Sequence, residues 1–252
     1  MRRLFAALAF SLAVAACSRA DDASAQTDGA PLDRAEIEQI VRSYILENPE
    51  IIEEALIELQ LRARQREMQG QADAVQSQAD RIFDDARDPV AGRADAPITV
   101  VEFFDYRCPY CTMTNDWVQT TLEEHGDQVR FVFKEFPING AASLEAARAA
   151  LAVWRLQPDL YTDLHDRMMS ASGPLPSQRI DEIARDVGVD VSAMRAEMES
   201  EEITAHLQDT RQLAQSIGRV GTPFFIVDGE IVNGADLDAL ERLLGEALQR
   251  AG

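Results

Sequence analysis

Two cysteines separated by two residues, Cys108 and Cys111, are the side chains in this sequence best suited to chemistry. They follow a β-branched and aromatic run that begins at Ile98 and predicts a buried strand, and a helical pattern starts directly after them. The unpaired N–H groups at a helix N-terminus stabilise a thiolate, and only a thiolate attacks a disulfide. The arrangement therefore predicts that Cys108 is the nucleophile and that Cys111 resolves the mixed disulfide.

A structural zinc site and a static disulfide are the two other uses of such a pair. Zinc needs two further ligands, but the one further cysteine is Cys17, and His125, His165 and His206 show no paired ligand spacing. These histidines are expected at a helix end or packed on helices, without chemistry. A disulfide that closes a two-residue loop constrains the unfolded chain only weakly. The spacing therefore favours redox chemistry.

Two separated motifs resemble the DsbA-like branch of the thioredoxin-fold thiol:disulfide oxidoreductases. The first is Glu-Phe-Phe-Asp-Tyr-Arg-Cys-Pro-Tyr-Cys at 102–111, and the second is Gly-Thr-Pro-Phe-Phe at 221–225. The resemblance extends from Pro89 to the C-terminus, and it implies that the bond between Thr222 and Pro223 is cis and faces the cysteines. Proline lacks an N–H group, so its loop can approach the sulfur atoms while the neighbouring backbone pairs with an extended substrate.

Glu102 lies on the strand that leads to Cys108, and two different positions are open to it. Its alternation with the apolar Val101 and Phe103 predicts a surface position. The family resemblance instead places an acidic residue at this offset beneath the resolving cysteine, where it would relay the proton of Cys111. A buried carboxylate can tune a neighbouring thiol in this way.

The N-terminal residues 1–17 have a basic start and a short apolar core, which is typical of a secretory signal. The sequence Val14-Ala-Ala-Cys17 resembles a bacterial lipobox, in which Cys17 would be lipidated and become the mature N-terminus. A competing cleavage pattern, Ala23-Ser-Ala25, would release an unanchored protein. Either alternative predicts a location in the periplasm or cell envelope, where disulfides form.

A flexible tether and a helical segment are predicted to follow the signal. Residues 18–32 are small, acidic and unpatterned, as in a flexible linker. Residues 33–86 contain an amphipathic helix that stops before Asn48-Pro49 and a second, long helix with apolar residues at three-and-four spacing. Such a pattern is typical of coiled coils and helix packing, because these stripes cannot be buried by one helix alone.

The stretch Ile45–Ala55 resembles the N-terminal oligomerisation segment of ScsC-like disulfide isomerases within the same family. The resemblance implies that residues 33–86 join two or three chains, so that several active sites face one space. One alternative is that this segment packs onto the catalytic domain of its own chain. A mere spacer helix is a weaker alternative, because the segment contains so many isoleucines.

Residues 87–252 are predicted to form one thioredoxin-like α/β domain. After the helix that begins at Cys111, a second strand is expected at Val129–Phe136, and helical patterns fill the region from about 141 to 218. This region matches the helical insertion of the DsbA-like branch. A hairpin around Asp228-Gly229 and a final helix complete the pattern. The predicted fold is thus thioredoxin-like with a helical insertion, preceded by an extended N-terminal helical segment.

The composition limits the classes of partner. A formal net charge of −20 argues against binding nucleic acid or anionic membranes through charge. With 46% hydrophobic and 27% charged residues, the chain is expected to be globular. No cofactor is expected, because two thiols suffice for the predicted reaction.

The sequence favours an extracytoplasmic thiol:disulfide interchange protein, most simply an isomerase or reductase that acts on extended or misfolded proteins with wrong disulfides. Because isomerisation requires reduced Cys108, a membrane thiol reductant is an implied partner. Thr222 before the proline resembles the isomerases, whereas Pro109 resembles the oxidase branch, so a DsbA-like dithiol oxidase remains the main alternative. A Cu(I)-binding protein that uses the two soft thiolates is a third hypothesis.

Overall fold

The computed structural model describes residues 33–219 and 221–252, in two compact units that divide after Leu59. The expected signal over 1–17, including the lipidation site Cys17, and the tether over 18–32 lie outside these residues. Among the helices of the described part, none is both long enough and apolar enough to cross a membrane.

The first unit consists of helix α1, Arg34–Glu47, and the start of helix α2, Glu50–Ser77. A capping box begins α1: the Asp33 carboxylate accepts the N–H of Glu36 at 2.8 Å, and the Glu36 carboxylate accepts the N–H of Asp33 at 3.0 Å. Pro49 follows, and the acidic Glu50 and Glu53 lie in the first turn of α2, where they stabilise the helix dipole.

Large apolar side chains of this first unit are exposed to solvent. Helix α1 has no buried residue. Nine large apolar residues between 37 and 59 are 46–70% exposed: Ile37, Ile40, Val41, Tyr44, Leu46, Ile52, Leu56, Ile57 and Leu59. Isolated apolar residues are common on protein surfaces, but a contiguous patch usually marks an interaction site. Within the described residues, the predicted stripes of α1 and early α2 are therefore left uncovered.

A five-stranded mixed sheet forms the centre of the second unit. Its strands are β1 (Val90–Gly92), β2 (Ile98–Phe104), β3 (Val129–Glu135), β4 (Phe224–Val227) and β5 (Glu230–Asn233), in the order β1-β3-β2-β4-β5. Strands β2 and β3 are parallel, and the other pairs are antiparallel. The central β2 is covered on both faces, which explains its continuous apolar sequence.

Helices cover both faces of this sheet. They are α3 (Ala79–Phe83), α4 (Pro109–His125), α5 (Ala141–Leu156), α6 (Tyr161–Met169), α7 (Ser177–Val187), α8 (Val191–Glu197), α9 (Glu201–Ser216) and α10 (Leu237–Ala251), with a 3₁₀ turn at Pro158–Leu160. Five of them, α5 to α9, are inserted between β3 and β4 in the sequence. The connection from β2 to β3 runs through α4, which makes a parallel βαβ unit.

The two faces of β2 pack into two different cores. Val100 and Phe104 join the larger core, which also contains the buried apolar residues of α4, α5 and α6. Val101 and Phe103 join a smaller core together with the end of α9. Because side chains alternate along a strand, Glu102 shares the face of Val100 and Phe104. The carboxyl ends of the parallel β2 and β3 meet at one edge, and this edge delivers Cys108 to the start of α4.

Candidate active site

Cys108 is the N-cap of α4, and Pro109 is its first helical residue. Cys108 has extended backbone angles, and its carbonyl oxygen accepts the N–H groups of Cys111 at 3.0 Å and Thr112 at 3.2 Å. Proline suits this position because its missing N–H would have no helical partner there. Cys108 is 6% exposed, whereas Cys111 is completely buried, and both are free thiols. Only Cys108 can therefore be reached by a large substrate.

The second sequence motif lies directly against Cys108. The Cys108 thiol donates to the carbonyl oxygen of Thr222 at 3.2 Å, although the two residues are 114 positions apart. The peptide bond between Thr222 and Pro223 is cis. Pro223 is buried and Thr222 is partly exposed, so the loop that enters β4 forms one side of the space around the nucleophile.

The two thiols have opposite electrostatic environments. Hydrogen bonds from the Cys111 thiol, the Thr222 side chain and the N–H groups of Tyr110 and Cys111 lower the pKa of Cys108 to about 5. Burial, followed by the nearby Cys108 and Glu102, raises the pKa of Cys111 far above its usual range. At neutral pH Cys108 is therefore a thiolate, and Cys111 keeps its proton until a base removes it.

Glu102 is buried in the sheet, and the surface position suggested by its alternation with Val101 and Phe103 is wrong. Its side chain is 1% exposed, and neither carboxylate oxygen has a hydrogen-bond partner among the described residues. Strand β2 lies between β3 and β4, so Glu102 stands opposite Phe133 on one side and Phe225 on the other. Burial raises the pKa of Glu102 to about 8, which suits a group that takes up and releases protons near neutral pH.

A second buried polar network lies behind the motif, and the sequence reading did not find it. The Tyr106 hydroxyl is 3.0 Å from His165 Nδ1 and 3.2 Å from Glu135 Oε1, and the Tyr161 hydroxyl is 3.5 Å from the same Glu135 oxygen. Burial raises the pKa of Glu135 well above its usual range and lowers the pKa of His165 to about 3. The network is therefore neutral at physiological pH. Glu135 shares the sheet face of Glu102, two positions further along the neighbouring strand.

Asp105 fixes the segment between β2 and Cys108. One of its carboxylate oxygens accepts the N–H of Arg107 at 2.7 Å, and the other accepts the N–H groups of Ile138 at 2.7 Å and Asn139 at 2.9 Å. These bonds tie the approach to the nucleophile to the chain that leaves β3. An aspartate directly after a strand is the signal from which such a turn is predictable.

A cluster of three possible metal ligands lies elsewhere, around Asp85, Asp88 and His206, whose ligand atoms are within 4.8 Å of one another. Cationic side chains already occupy this cluster: Lys134 forms an ion pair with Asp88, and Arg87 pairs with Asp85 at 2.7 Å. His206 Nε2 is 2.8 Å from Asp88 Oδ1. The buried ammonium group neutralises the charge that a cation would need, so the cluster is an internal ion network.

Comparison with known proteins gives two family matches. A model described as DSBA-like thioredoxin domain matches residues 99–245, more than half of the chain. A second, described as copper resistance protein ScsC N-terminal domain, matches residues 33–66. The two matches cover the catalytic unit and the N-terminal helices respectively.

Individual relatives agree with these matches. A linker-deletion variant of ScsC from Proteus mirabilis superposes with a TM-score of 0.66 at 29% identity, covering 88% of this chain and 99% of that chain. A thioredoxin-like oxidoreductase from Silicibacter pomeroyi superposes with a TM-score of 0.62 at 38% identity, covering 68% and 97%. Disulfide bond formation protein D of Bacillus subtilis is 27% identical over 172 residues, 64% of this chain and 77% of that protein.

Some Na⁺/H⁺ antiporters also contain a similar region, but the chain corresponds to a small part of them. NhaA 1 of Mycolicibacterium gilvum is 34% identical over 94 residues, which is 15% of that protein. The similarity to the disulfide proteins spans much more of both chains, and it confirms the predicted thioredoxin-like fold with its helical insertion and N-terminal helices. The chain belongs to the DSBA-like thioredoxin-domain family and is a thiol:disulfide oxidoreductase of the DsbA and ScsC type.

Proposed function

We propose that the protein is a disulfide isomerase and reductase that acts outside the cytoplasm on proteins with wrong disulfides. The observation that carries the isomerase role is the exposed apolar surface of α1 and early α2. An isolated chain gains nothing from nine exposed large apolar residues, but a second copy could cover them. Copies joined through residues 33–86 would present several nucleophiles to one substrate, which suits repeated attack on a misfolded chain.

The reaction would begin with the Cys108 thiolate. It attacks one sulfur of a substrate disulfide, so that a bond between Cys108 and that sulfur forms while the substrate bond breaks and the other sulfur leaves as a thiolate. In isomerisation this substrate thiolate, or another substrate cysteine, attacks again and releases Cys108 unchanged. In reduction Cys111 attacks Cys108, the substrate leaves with two thiols, and the Cys108–Cys111 disulfide remains.

Glu102 would control the reductive branch. Cys111 is buried and protonated, and it cannot attack until it loses its proton. Glu102 on the strand beneath is the acidic group whose charge affects Cys111. Because its pKa is about 8, only about one tenth of it is ionised at pH 7, and this ionised fraction would accept the proton. A slow relay would give the substrate time to rearrange before Cys111 releases it.

The cis-proline loop would hold the substrate. The Thr222 carbonyl oxygen is next to Cys108 Sγ, and Pro223 offers no N–H group that would compete with substrate pairing. An extended segment of the substrate would pair with the backbone of this loop while its cysteine faces Cys108.

The proposed location follows from the N-terminal sequence and from the relatives. A periplasmic thioredoxin-like protein from Salmonella enterica superposes with a TM-score of 0.63 at 28% identity. Lipidation of Cys17 would anchor the protein to the envelope. Residues 18–32 would form a flexible tether between this anchor and the helices that follow. A membrane thiol reductant would return the Cys108–Cys111 disulfide to two thiols, consuming two electrons for each reduced substrate.

The low pKa of Cys108 favours a second candidate, a DsbA-like oxidase. A stabilised thiolate favours the reduced enzyme and therefore makes its disulfide a strong oxidant. Such an enzyme would donate the Cys108–Cys111 disulfide to reduced proteins. It would not need several active sites facing one space.

One experiment distinguishes the two functions. We expect the mature protein to be a dimer or trimer by light scattering and to restore activity to scrambled ribonuclease when a dithiol keeps Cys108 reduced. The Ile40→Glu variant places a charge in the apolar stripe and should dissociate the oligomer and lower the isomerase rate. Gln39→Glu adds the same charge to a polar position and is the matched control.

A monomer that oxidises reduced ribonuclease but does not unscramble it would overturn the isomerase proposal in favour of the oxidase. If Ile40→Glu and Gln39→Glu had the same mass and activity as the parent protein, the exposed stripe would not be the oligomer interface.

A further inference from the structure

One cleft lies beside the Cys108–Cys111 motif and another along the cis-proline loop, and each has one charged residue in its lining. The first has a volume of about 450 Å³ and lies between Tyr106, Arg107 and Pro109 and the loop 170–175 after α6. The second has a volume of about 240 Å³ and lies along the cis-proline loop, with Arg219 in its lining. The two linings share no residue. In a chain with 44 acidic and 24 basic residues, the charged side chain in each of these two linings is an arginine.

Arg107 is available to a ligand in the first cleft. Its side chain is exposed, and within the described part of the chain it has neither an ion pair nor a hydrogen bond. Its N–H group is held by Asp105 at 2.7 Å, which fixes the backbone from which the guanidinium extends. Among the groups that lower the pKa of Cys108, Cys111 has the largest effect and Thr222 the next.

Arg219 gives independent evidence in the second cleft. Its Nε and Nη2 atoms are buried, and neither has a hydrogen-bond partner among the residues that the structure describes. Buried donors without acceptors are unfavourable, and those of a charged group especially so. The same cleft contains Thr222 and Pro223, where an extended substrate would lie. These two atoms are closed to solvent, so a substrate carboxylate would reach them after the Arg219 side chain turns into the cleft that it lines.

We propose that Arg107 and Arg219 select substrate segments that carry aspartate or glutamate next to the cysteine under attack. This inference rests on the proposed function and specifies its substrate class. Guanidinium groups bind carboxylates through two parallel hydrogen bonds, which makes such contacts strong and directional. One arginine in each cleft allows contact with acidic residues on either side of the substrate cysteine.

The net charge of the protein does not oppose this selection at short range. The charge of −20 repels an acidic substrate at long range, but salt screens charges separated by more than about 8 Å at physiological ionic strength. Contacts inside the clefts are screened less. The preference for acidic substrates should therefore persist at physiological salt and decrease at high salt.

The test uses disulfide-linked dimers of one peptide in which glutamate, glutamine or lysine occupies the positions on both sides of the cysteine. In each turnover Cys108 forms a mixed disulfide with one peptide, the other leaves as a thiol, and Cys111 then releases the first. The enzyme disulfide is returned to two thiols by excess dithiol. For the full mature protein we expect kcat/KM to be about tenfold higher for the glutamate than for the glutamine peptide, mainly through KM.

Substitutions of Arg107 and Arg219 test whether these two residues cause the preference for the glutamate peptide. Arg107→Gln and Arg219→Gln should each reduce the ratio of glutamate to glutamine kcat/KM by about threefold, and the double variant should bring it close to one. Arg107→Glu should make the lysine peptide the better substrate. Arg242→Gln on α10 removes the same charge from an exposed helix outside both cleft linings and should keep the parent ratio.

Equal kcat/KM for all three peptides with the parent protein would overturn the inference and leave the proposed function standing. A glutamate preference that survives in Arg107→Glu and in the double glutamine variant would show that other residues select the substrate. A protein that reduces none of the peptides and does not act on scrambled ribonuclease would refute the proposed function itself.

Discussion

The Cys108 thiol lies 3.2 Å from the carbonyl oxygen of Thr222, at the N-terminus of α4. This distance joins the two sequence motifs into one site and places the cis-proline loop against the reactive sulfur. The side chain of Thr222 also helps to lower the pKa of Cys108, so one residue of this loop both stabilises the thiolate and lies where the substrate would be held. Any change at Thr222 should therefore affect both acidity and binding.

The acidity of Cys108 can be measured directly. Because hydrogen bonds lower its pKa to about 5, the rate of alkylation of the reduced protein should rise with pH to a midpoint near 5 and then level off. Cys111→Ala removes the largest stabilising contact and should move the midpoint to higher pH. Met113→Leu, a conservative change at an exposed position of the same helix, is the control. A midpoint near 9 in the parent protein would contradict the assignment of Cys108 as a stabilised thiolate.

The buried Glu102 should make the protein less stable as pH rises. Its pKa is about 8 when folded and about 4.5 when unfolded, so between these values the unfolded state releases a proton that the folded state retains. The Glu102→Gln variant has no titrating group at this position, so it lacks this pH-dependent loss of stability. The free energy of unfolding of the variant should equal that of the parent near pH 4 and exceed it by about 3 kcal/mol at pH 7. Chemical denaturation at the two pH values measures this difference, and an equal difference at both would contradict the raised pKa.

The relay role of Glu102 gives a separate kinetic prediction. Glutamine cannot accept the Cys111 proton, so Glu102→Gln should slow the release of a mixed disulfide more than its formation. Rapid-quench measurement of the two steps with a peptide disulfide separates them. If both steps slowed equally, the residue would act on the nucleophile or on the fold, and the relay would be excluded.

The sequence was sufficient for the parts of the structure that local pattern determines. The apolar run into Cys108 and the Asp228-Gly229 turn are visible without the fold, and Asp228 and Gly229 both have positive φ, as the hairpin requires. Strand β1 was missed because Val90–Gly92 is too short to show alternation, and it exists through its pairing with β3. The helical region predicted from about 141 to 218 is divided into the five helices α5 to α9, with Ser200 as the cap of α9.

The structural features that the sequence did not predict depend on tertiary contacts. Glu102 alternates with apolar residues like a surface residue, but β2 is central and a helical layer covers that face. Glu135, Tyr106 and His165 come from three separate segments, and no spacing in the sequence joins them. The sequence also did not predict the role of Arg219, because the burial of its guanidinium atoms and its place in the cleft lining depend on the fold.

The buried network behind the motif should contribute to stability. Tyr106→Phe removes the hydroxyl that contacts both Glu135 and His165, and it leaves their buried atoms with fewer partners. We expect a loss of about 2 kcal/mol in the free energy of unfolding. Tyr110→Phe removes the same group from a 60% exposed side chain in the motif and should cost little. Equal stability of the two variants would show that the network is dispensable.

The ion network around Lys134 provides the last prediction. Lys134 and Asp88 are both buried, and Asp88 also contacts His206 Nε2 at 2.8 Å. Lys134→Met leaves the Asp88 carboxylate without its ammonium partner and should cost about 3–5 kcal/mol of stability. Combining it with Asp88→Asn removes the uncompensated charge, so the double variant should lose less than the sum of the single variants.

Urea unfolding of the four proteins in this cycle gives the coupling energy between Lys134 and Asp88. If the double variant loses much less stability than the sum of the two single variants, each charge is tolerated in the interior only because the other is present. Simple additivity would mean that His206 and neighbouring backbone groups compensate Asp88 without Lys134. In that case the ammonium would not be what excludes a cation from this cluster, and a divalent ion should leave the midpoint of unfolding of Lys134→Met unchanged.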